Sequence, residues 1–268
     1  MIIIAPTADP ELNGVLRELV TSLQAILRDH FLAAYLHGSF ALGDWDVHSD
    51  VDFLVALDPE VSQAELKALQ TMHARIYDLD SHWAHHLEGS YFPRETLKQD
   101  DPSRAPLLYL DNTSRELIWS NHDNSRVVRW TTREYGIAMA GPDPRLLIDP
   151  VPADRLRQEV SETMRDWGCQ LLANPGQMDN RWYQPFVVIS YCRMLHTLHT
   201  GRIGSKPAGT RWAFGALDRC WVDLIERAQA ERPNPSLKIQ QKADPNDLGR
   251  TLEFIEYALT VSLHDSVP

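Results

Sequence analysis

Two aspartates separated by a single residue are the strongest chemical feature of the chain. Asp50 and Asp52 lie in the segment SDVDFLVAL, whose apolar run over residues 53–57 predicts a β-strand. Because successive side chains of a strand point to opposite faces, the two carboxylates share one face, and Val51 and Phe53 point into a core. Like charges held this close repel each other unless a cation lies between them, and carboxylate oxygens suit Mg²⁺ that is shared with nucleotide phosphates. The pair therefore predicts a magnesium site.

A Gly-Ser pair precedes the aspartates in the same stretch. The apolar run FLAAYL predicts a strand that ends at Gly38 and Ser39, so the expected order is strand, tight turn, strand. Since glycine has no Cβ, backbone N–H groups at Gly38 can approach a phosphate closely, and the Ser39 hydroxyl adds a further donor. A Gly-Ser pair alone is most often a plain turn. Next to the two aspartates, it predicts a binding site for a nucleoside triphosphate.

A third carboxylate is expected to join this site. Residues 85–91 alternate as a strand does, with Leu87 and Tyr91 on the core side. This arrangement leaves three polar side chains facing the site: His86, Glu88 and Ser90. The histidines of this stretch match no common zinc spacing, so a polar surface is the preferred interpretation for them.

Two amphipathic helices are predicted to pack against these strands. Apolar residues recur at helical spacing over residues 10–30 and again over 66–77, after the start signals Pro59 and Ser62. Residues 98–126 are polar and punctuated by proline, and their final part, SNHDNSR, is predicted to be a loop. His122 and Asp123 of this loop are candidate substrate contacts, although a solvated connection is the commoner role of such a segment.

Proline-rich sequence over residues 141–152 predicts a boundary between two domains, 1–150 and 151–268. Beyond this boundary the predicted elements are helices, over residues 153–172, 182–199, 206–217, 220–230 and 246–263. The fold class is therefore α+β. The N-terminal domain is expected to hold a mixed sheet with packing helices, and the C-terminal domain an all-α helical bundle.

Two cationic residues of the helical part are candidates for binding phosphate. Arg193 lies in an otherwise apolar and aromatic helix, so its guanidinium requires a partner, which is either a carboxylate of the core or a ligand phosphate. Lys206 ends the glycine-containing segment TGRIGSK and is within reach of a phosphate, although most lysines in such positions are simply exposed. Pro207 then starts the next helix. Both alternatives stay open for each residue.

Composition restricts the class of protein. With 268 residues, 43% of them hydrophobic and 24% charged, the chain is typical of soluble globular proteins, and a monomer is expected. A net charge of −11 argues against a nucleic-acid partner, because such proteins cluster Lys and Arg against phosphates. No apolar stretch approaches the roughly 20 residues that span a bilayer, and no basic region precedes the short N-terminal apolar run. A cytoplasmic protein without a membrane partner is expected.

The cysteines agree with this compartment. Cys169, Cys192 and Cys220 form no CxxC pair and fall in helix-like segments, so buried free thiols are expected rather than a disulfide or zinc framework.

The pattern GSxxxGxxxxxSDxD resembles the nucleotidyltransferase superfamily that is related to polymerase β. The matching residues are Gly38, Ser39, Gly43, Ser49, Asp50 and Asp52. The helical part resembles the aminoglycoside adenylyltransferases that modify streptomycin and spectinomycin, through a motif like R…TGxIxSKxxAxxWA. In this chain the motif consists of Arg193 and residues 200–206 and 210–213.

This resemblance implies an activity and a set of roles. The implied reaction is the transfer of AMP from ATP, as co-substrate, to an acceptor hydroxyl with release of pyrophosphate. Asp50 and Asp52 would bind Mg²⁺, and Glu88 would be the catalytic base. Arg193 and Lys206 would hold the triphosphate in a cleft between the domains. The Gly38–Ser39 pair would also bind the nucleotide.

The acceptor is expected to be a small, hydroxyl-bearing, cationic molecule. An acidic chain favours a cation, and the resemblance implies that Asp179 contacts an antibiotic, with His122 and Asp123 as further candidates. The segment LLANPGQMDN lacks the tryptophan that the resembled enzymes carry in their streptomycin pocket, so spectinomycin-like acceptors are expected to be preferred. Two alternatives stay open: nucleotidyl transfer to a protein hydroxyl or a sugar-like metabolite, and a nucleotide-binding regulatory module without turnover. The presence of all three carboxylates favours catalysis.

Overall fold

The first helix of the chain forms where the apolar spacing predicts it. The computed structural model describes residues 5–232 and 238–264 and divides into two units, Met1–Val151 and Pro152–Pro268. Helix α1 (Pro10–Leu27) begins after Asp9, whose carboxylate accepts a hydrogen bond from Leu12 N, and it carries a proline in its first turn. Its apolar stripe is buried against the sheet and α3 (Gln63–Tyr77). The first four residues of the N-terminal apolar run lie outside the described residues.

In the described part of the first unit, the strands form one mixed six-stranded sheet. They are β1 (Phe31–Leu36), β2 (Val51–Leu57), β3 (Leu87–Pro93), β4 (Leu107–Leu110), β5 (Leu117–Ser120) and β6 (Ile137–Ala140), in the spatial order β5-β4-β3-β2-β1-β6. Strands β2 and β3 are parallel, and the other neighbouring strands are antiparallel. A parallel pair requires a crossover, which α3 provides after a capping box of Ser62 and Glu65. The mixed sheet with packing helices confirms the predicted fold class.

The two faces of β2 and β3 bury different residues. One face contributes to the larger core, together with α1 and α3, through Val51, Phe53, Val55, Leu57, Leu87 and Tyr91. The opposite face contributes to a smaller core through Leu54, Ala56 and Phe92. Since side chains alternate along a strand, Asp52, Glu88 and Ser90 share the face of the smaller core. The polar residues occupy the end of this face where the two strands begin.

Three local predictions for this unit are wrong in part. Residues 38–42 form a short helix, α2 (Gly38–Leu42), rather than a tight turn. The predicted strand over 85–91 begins only at Leu87, because Trp83–His86 form a 3-10 helix. The polar stretch 98–126 contains β4 and β5, although its final part is a loop as predicted. Each of these strands is only four residues long, which is too short for alternation to be visible in the sequence.

Two further short elements complete the first unit. Helix α4 (Arg94–Lys98) follows β3 directly, and α5 (Arg126–Tyr135) follows the loop and begins at Ser125, whose hydroxyl accepts a hydrogen bond from Val128 N.

The second unit is helical in each predicted segment. Its longer helices are α6 (Ala153–Ala173), α7 (Tyr183–Thr200), α8 (Lys206–Ala216), α9 (Val222–Glu231) and α10 (Pro245–His264). Helices α7 and α8 approach each other closely at Gly209. A Cβ on this residue would lie only 2.6 Å from the Cα of Arg193. The predicted all-α C-terminal part is confirmed.

Burial of the cysteines was predicted correctly only for Cys192. Cys169 and Cys220 are exposed, and all three thiols are free. Over the described ranges, none of the helices combines the length and the apolar character that crossing a membrane requires.

Candidate active site

Asp52 and Glu88 occupy neighbouring positions on the two parallel strands. The register pairs Asp52 of β2 with Glu88 of β3, and Asp50 immediately precedes β2. Burial, followed by the charge of Asp52, raises the pKa of Glu88, and Asp50 and Asp123 add smaller contributions of the same sign. A hydrogen bond from Tyr109 acts in the opposite direction, and the resulting pKa is about 8. The structure therefore brings the three predicted carboxylates into one group whose charges repel each other.

Gly38 lies directly against the Asp52 carboxylate. A Cβ on residue 38 would lie 1.8 Å from Asp52 Oδ2, and the φ angle of Gly38 is +59°, a conformation that other residues rarely adopt. His37 N donates a 2.9 Å hydrogen bond to Asp52 O, which ties this segment to β2. The glycine is therefore required by the position of Asp52 as well as by its own backbone conformation.

Ser39 carries a buried hydroxyl whose Oγ has no hydrogen-bond partner among the described residues. Buried polar atoms are nearly always paired in folded proteins, so such an atom on the residue after Gly38, which lies against the Asp52 carboxylate, calls for an explanation. A ligand phosphate oxygen would accept a hydrogen bond from this hydroxyl. The Gly38–Ser39 pair thus fits the nucleotide site that the sequence predicts.

The carboxylates also fit a magnesium ion that a nucleotide would share. No group of three or more His, Cys, Asp or Glu side chains in the described part of the chain could by itself enclose a metal ion. Mg²⁺, however, is usually held by one or two carboxylates together with substrate phosphates, not by a cage made of protein alone. Asp50 and Asp52 supply such a pair, and a cation would relieve the repulsion that contributes to the raised pKa of Glu88.

Tyr109 of β4 contacts Glu88 and was not anticipated from the sequence. Its hydroxyl donates a 2.6 Å hydrogen bond to Glu88 Oε1. Burial, followed by the charge of Glu88, raises the pKa of Tyr109, so the phenol remains protonated and acts as a donor. In the sequence, Tyr109 is the tyrosine of the apolar run LLYL, and that run does not indicate a role in the site.

The two predicted loop residues occupy different positions around Glu88. His122 is exposed, and its Nε2 lies 3.6 Å from Glu88 Oε1. Asp123 is only 6% exposed and accepts a 2.7 Å hydrogen bond from the buried Ser90 hydroxyl. Ser90 is therefore buried and bonded to Asp123, although the alternation of the strand predicted that Ser90 would face the site. Asp123 acts on Glu88 through its charge.

Asn112 links Asp50 to a histidine. It lies in the turn between β4 and β5, its Nδ2 donates to Asp50 Oδ1, and its Oδ1 lies 3.1 Å from His86 Nδ1. Because an ionised carboxylate only accepts hydrogen bonds, the NH₂ group of the amide must face Asp50. The amide oxygen then accepts from His86, which requires the imidazole proton on Nδ1. Sequence analysis missed Asn112, since Asp50 is 62 residues away.

The predicted cations of the second unit lie on α7 and at the first residue of α8. Arg193 and Lys206 are both partly exposed. The Lys206 ammonium lies 5.1 Å from the ring centre of Phe186, and Phe186 stacks on Trp182.

Asp179 follows a short 3-10 helix, Pro175–Met178, in the second unit. Its Oδ2 lies 3.2 Å from Lys242 Nζ, and the lysine side chain is 87% exposed. The carboxylate predicted to contact a cationic acceptor thus contacts an ammonium group of the chain itself.

Comparison with known proteins finds similarity to two known domain families. Residues 16–101 match the family model described as the nucleotidyltransferase domain. Residues 146–259 match the model described as the aminoglycoside adenylyltransferase C-terminal domain.

Relatives of known name extend over most of the chain. An aminoglycoside (3'') (9) adenylyltransferase from Escherichia coli is 26% identical and aligns with 92% of this chain and 93% of its own length. A spectinomycin 9-adenylyltransferase from Staphylococcus aureus is 24% identical, over 81% of this chain and 85% of its own. The crystal structure of spectinomycin adenyltransferase AAD(9) from Enterococcus faecialis, with ATP and spectinomycin, superimposes with a TM-score of 0.67 at 13% identity, covering 92% of this chain and 98% of the other. At that identity the structural match establishes similarity of fold.

Proposed function

We propose that this chain, which belongs to the nucleotidyltransferase superfamily and is similar in both units to aminoglycoside adenylyltransferases, transfers AMP from ATP to a hydroxyl group of a small cationic acceptor. Pyrophosphate is the second product. The observation that carries the proposal is the convergence of Asp50, Asp52 and Glu88 beside the Gly38–Ser39 pair. The names of the relatives support an aminoglycoside or aminocyclitol antibiotic as the acceptor.

Glu88 is the proposed base. Its Oε1 accepts the hydrogen bond from Tyr109, so we assign proton transfer to Oε2. Glu88 removes the proton from the acceptor hydroxyl, the acceptor oxygen bonds to the α-phosphorus of ATP, and the bond from that phosphorus to the β-phosphate oxygen breaks. Burial and the neighbouring Asp52 raise the pKa of Glu88, which makes its carboxylate a stronger base than an ordinary glutamate. Mg²⁺ on the two aspartates would offset part of this shift and so keep Glu88 ionised and able to accept a proton.

We assign phosphate binding to Asp50 and Asp52 through Mg²⁺, and to Gly38, Ser39, Arg193 and Lys206. Mg²⁺ bound to Asp50 and Asp52 would supply positive charge that stabilises the phosphoryl oxygens. The buried Ser39 hydroxyl is the proposed donor to a phosphate oxygen, and Gly38 gives it room. Arg193 and Lys206 are the proposed cationic contacts of the triphosphate.

We assign contacts with the acceptor to Asp179 and His122, and the negative charge of Asp123 acts near Glu88. Asp179 binds the exposed ammonium group of Lys242, and such exposed ion pairs contribute little stability, so an acceptor ammonium can replace the lysine at small cost. The net charge of −11 attracts cations to the protein in general.

A transfer assay tests this function. The protein is incubated with ATP, MgCl₂ and a panel containing spectinomycin, streptomycin and other aminoglycosides, and the products are analysed by mass spectrometry. An adenylylated antibiotic and an equal amount of pyrophosphate are expected, and neither product with the Asp50→Asn/Asp52→Asn variant. Consumption of ATP only with a protein or sugar-like acceptor would contradict the antibiotic assignment, and ATP binding without turnover would indicate a regulatory module.

The contact between Asp179 and Lys242 gives a second test within the same assay. Asp179→Asn should raise the KM for the acceptor and leave the KM for ATP unchanged, whereas Lys242→Ala should lower the acceptor KM. If the two substitutions shift the acceptor KM in the same direction, the assignment of Asp179 is wrong.

A further inference from the structure

We propose that the β4–β5 hairpin is the positioning element of the active site, because Tyr109 orients Glu88 and Asn112 orients Asp50. We define the hairpin as residues 107–120, comprising β4, β5 and the turn between them. This inference rests on the proposed function, and it assigns roles to two residues that the sequence patterns left without one.

The Tyr109 contact fixes one oxygen of the proposed base. The hydroxyl has a single proton and two acceptors within reach, Glu88 Oε1 at 2.6 Å and Asp111 Oδ1 at 3.1 Å. The shorter distance assigns the proton to Glu88. With Oε1 held in this way, rotation of the carboxyl group is restricted, and Oε2 keeps one direction for accepting a proton from a substrate.

The Asn112 contact fixes one oxygen of the proposed metal-binding aspartate. The amide donates to Asp50 Oδ1 and is itself held by His86 Nδ1. Partners of this kind orient carboxylates that bind metals, and their loss typically weakens metal affinity about 10–100-fold.

The turn that carries Asn112 and directly follows the strand of Tyr109 is anchored to α3 and to the 3-10 helix before β3. The Gln70 side chain of α3 donates to Arg115 O and accepts from Leu117 N, each at 2.9 Å. Thr113 N donates to His85 O at 3.2 Å. These bonds leave the turn little freedom relative to α3 and to the start of β3. Because the turn is rigid, Tyr109 and Asn112 hold the Glu88 and Asp50 carboxylates in fixed positions. A mobile turn would not hold them in this way.

The Tyr109 contact is tested by separating kcat from binding. Tyr109→Phe should lower kcat about tenfold while the Kd for ATP stays within twofold. In the Glu88→Gln background the same substitution should change the residual rate less than twofold, because its effect passes through Glu88. Tyr91→Phe is the matched control, since it removes a buried hydroxyl on the opposite face of β3 and should leave kcat unchanged.

The Asn112 contact is tested by binding without turnover. Calorimetry should show that Asn112→Ala weakens ATP binding about tenfold in MgCl₂ and has no effect in EDTA. Ser114→Ala, at a partly exposed position in the same turn whose hydroxyl bonds to the backbone of Glu116 and not to the site, should match the unaltered protein in both conditions. A loss of affinity that is equal with and without Mg²⁺ would overturn the assignment of Asn112.

The roles assigned to Tyr109 and Asn112 can be overturned independently of each other. A kcat for Tyr109→Phe within twofold of the unaltered protein, or an equal loss in the Glu88→Gln background, overturns the positioning of Glu88. Failure of the proposed function is a different result, because a protein that adenylylates no acceptor still allows the calorimetric comparison. The calorimetric comparison uses neither an acceptor nor the Tyr109→Phe variant. It therefore tests the role of Asn112 even if Tyr109→Phe does not fold.

Discussion

Each face of the sheet carries a buried tyrosine that is hydrogen-bonded to a titratable partner, and only one of these two groups is suited to chemistry. On the face of the larger core, His73 Nε2 lies 2.7 Å from the Tyr91 hydroxyl, and we call these two residues the core pair. On the other face, Tyr109 donates to Glu88 beside Asp52, and we call these three residues the site cluster.

Both groups have strongly shifted pKa values, and burial is the largest cause in both. Burial lowers the pKa of His73 to about 3, and no charged neighbour contributes to that shift. Burial raises the pKa of Glu88 to about 8, with further contributions from Asp52, Asp50 and Asp123. A shifted pKa therefore does not by itself identify a functional residue. The site cluster differs from the core pair in one property: the fold holds two acidic side chains, Asp52 and Glu88, close together.

The largest effect that distinguishes the two groups is expected from Asp52→Asn. It should lower the rate of AMP transfer about 10³-fold, because it removes a charge that the transition state requires. It should not lower the unfolding temperature of the metal-free protein, because it also removes repulsion from the site cluster. Transfer at saturating Mg²⁺ and thermal unfolding in EDTA measure the two effects. A rate within tenfold of the unaltered protein would refute the metal-site assignment.

Glu88→Gln should have the next largest effect, lowering kcat about 10²-fold by removing the base. The affinity for ATP should change less than twofold, because Gln keeps the shape of the side chain. Single-turnover kinetics and calorimetry separate the two quantities. Loss of ATP binding together with turnover would show that Glu88 holds the metal or the fold.

Tyr91→Phe should have the opposite profile. It leaves the buried His73 Nε2 without its partner and should lower the free energy of unfolding by about 1–3 kcal/mol. Transfer activity of the folded variant should stay within twofold. Denaturant unfolding and the transfer assay provide the measurements, and His73→Phe/Tyr91→Phe should recover part of the lost stability, since it removes both polar groups. A loss of activity comparable with that of Glu88→Gln would end the distinction between the two faces.

The smallest predicted effect is a pH dependence of stability that comes from His73. The folded-state pKa of about 3 is below the ordinary value of 6.5, so the unfolded chain binds a proton that the folded chain excludes. The contribution of His73 to stability is therefore complete above pH 6.5 and is lost as the pH falls toward 3. Denaturant unfolding at pH 7 and pH 5 should show a smaller loss for the His73→Phe/Tyr91→Phe variant than for the unaltered protein. Equal losses would contradict the buried neutral histidine.

Local patterns predicted most of the fold and the centre of the site. The helices of the second unit and α1 and α3 carry long periodic stripes, which is why their predicted bounds differ from the observed ones by only a few residues. Asp50 and Asp52 were found because alternation and the apolar run after them are local features. Glu88 was found for the same reason, although the strand that carries it begins later than predicted.

The β4–β5 hairpin was not predicted from these local patterns. Strands β4 and β5 have four residues each and lie in polar surroundings, so neither period nor length distinguishes them from a loop. Tyr109 and Asn112 belong to the site through contacts with Glu88 and Asp50, which are 21 and 62 residues away. Nothing in the residue types of LLYL or of the following turn indicates which strand they pair with.

The sequence by itself determined the residues that can carry charge, accept protons and leave room for phosphate, because those properties belong to single side chains and to short spacings. Tertiary structure decided which of these groups meet. The pairing of β2 with β3 placed Asp52 beside Glu88. The close approach of the Asp52 carboxylate to residue 38, together with the positive φ angle of that residue, requires glycine there. Tertiary packing also buried Asp123 against Ser90 and placed Tyr91, the partner of His73, in the larger core. Such outcomes depend on strand register, which only packing over the whole unit determines.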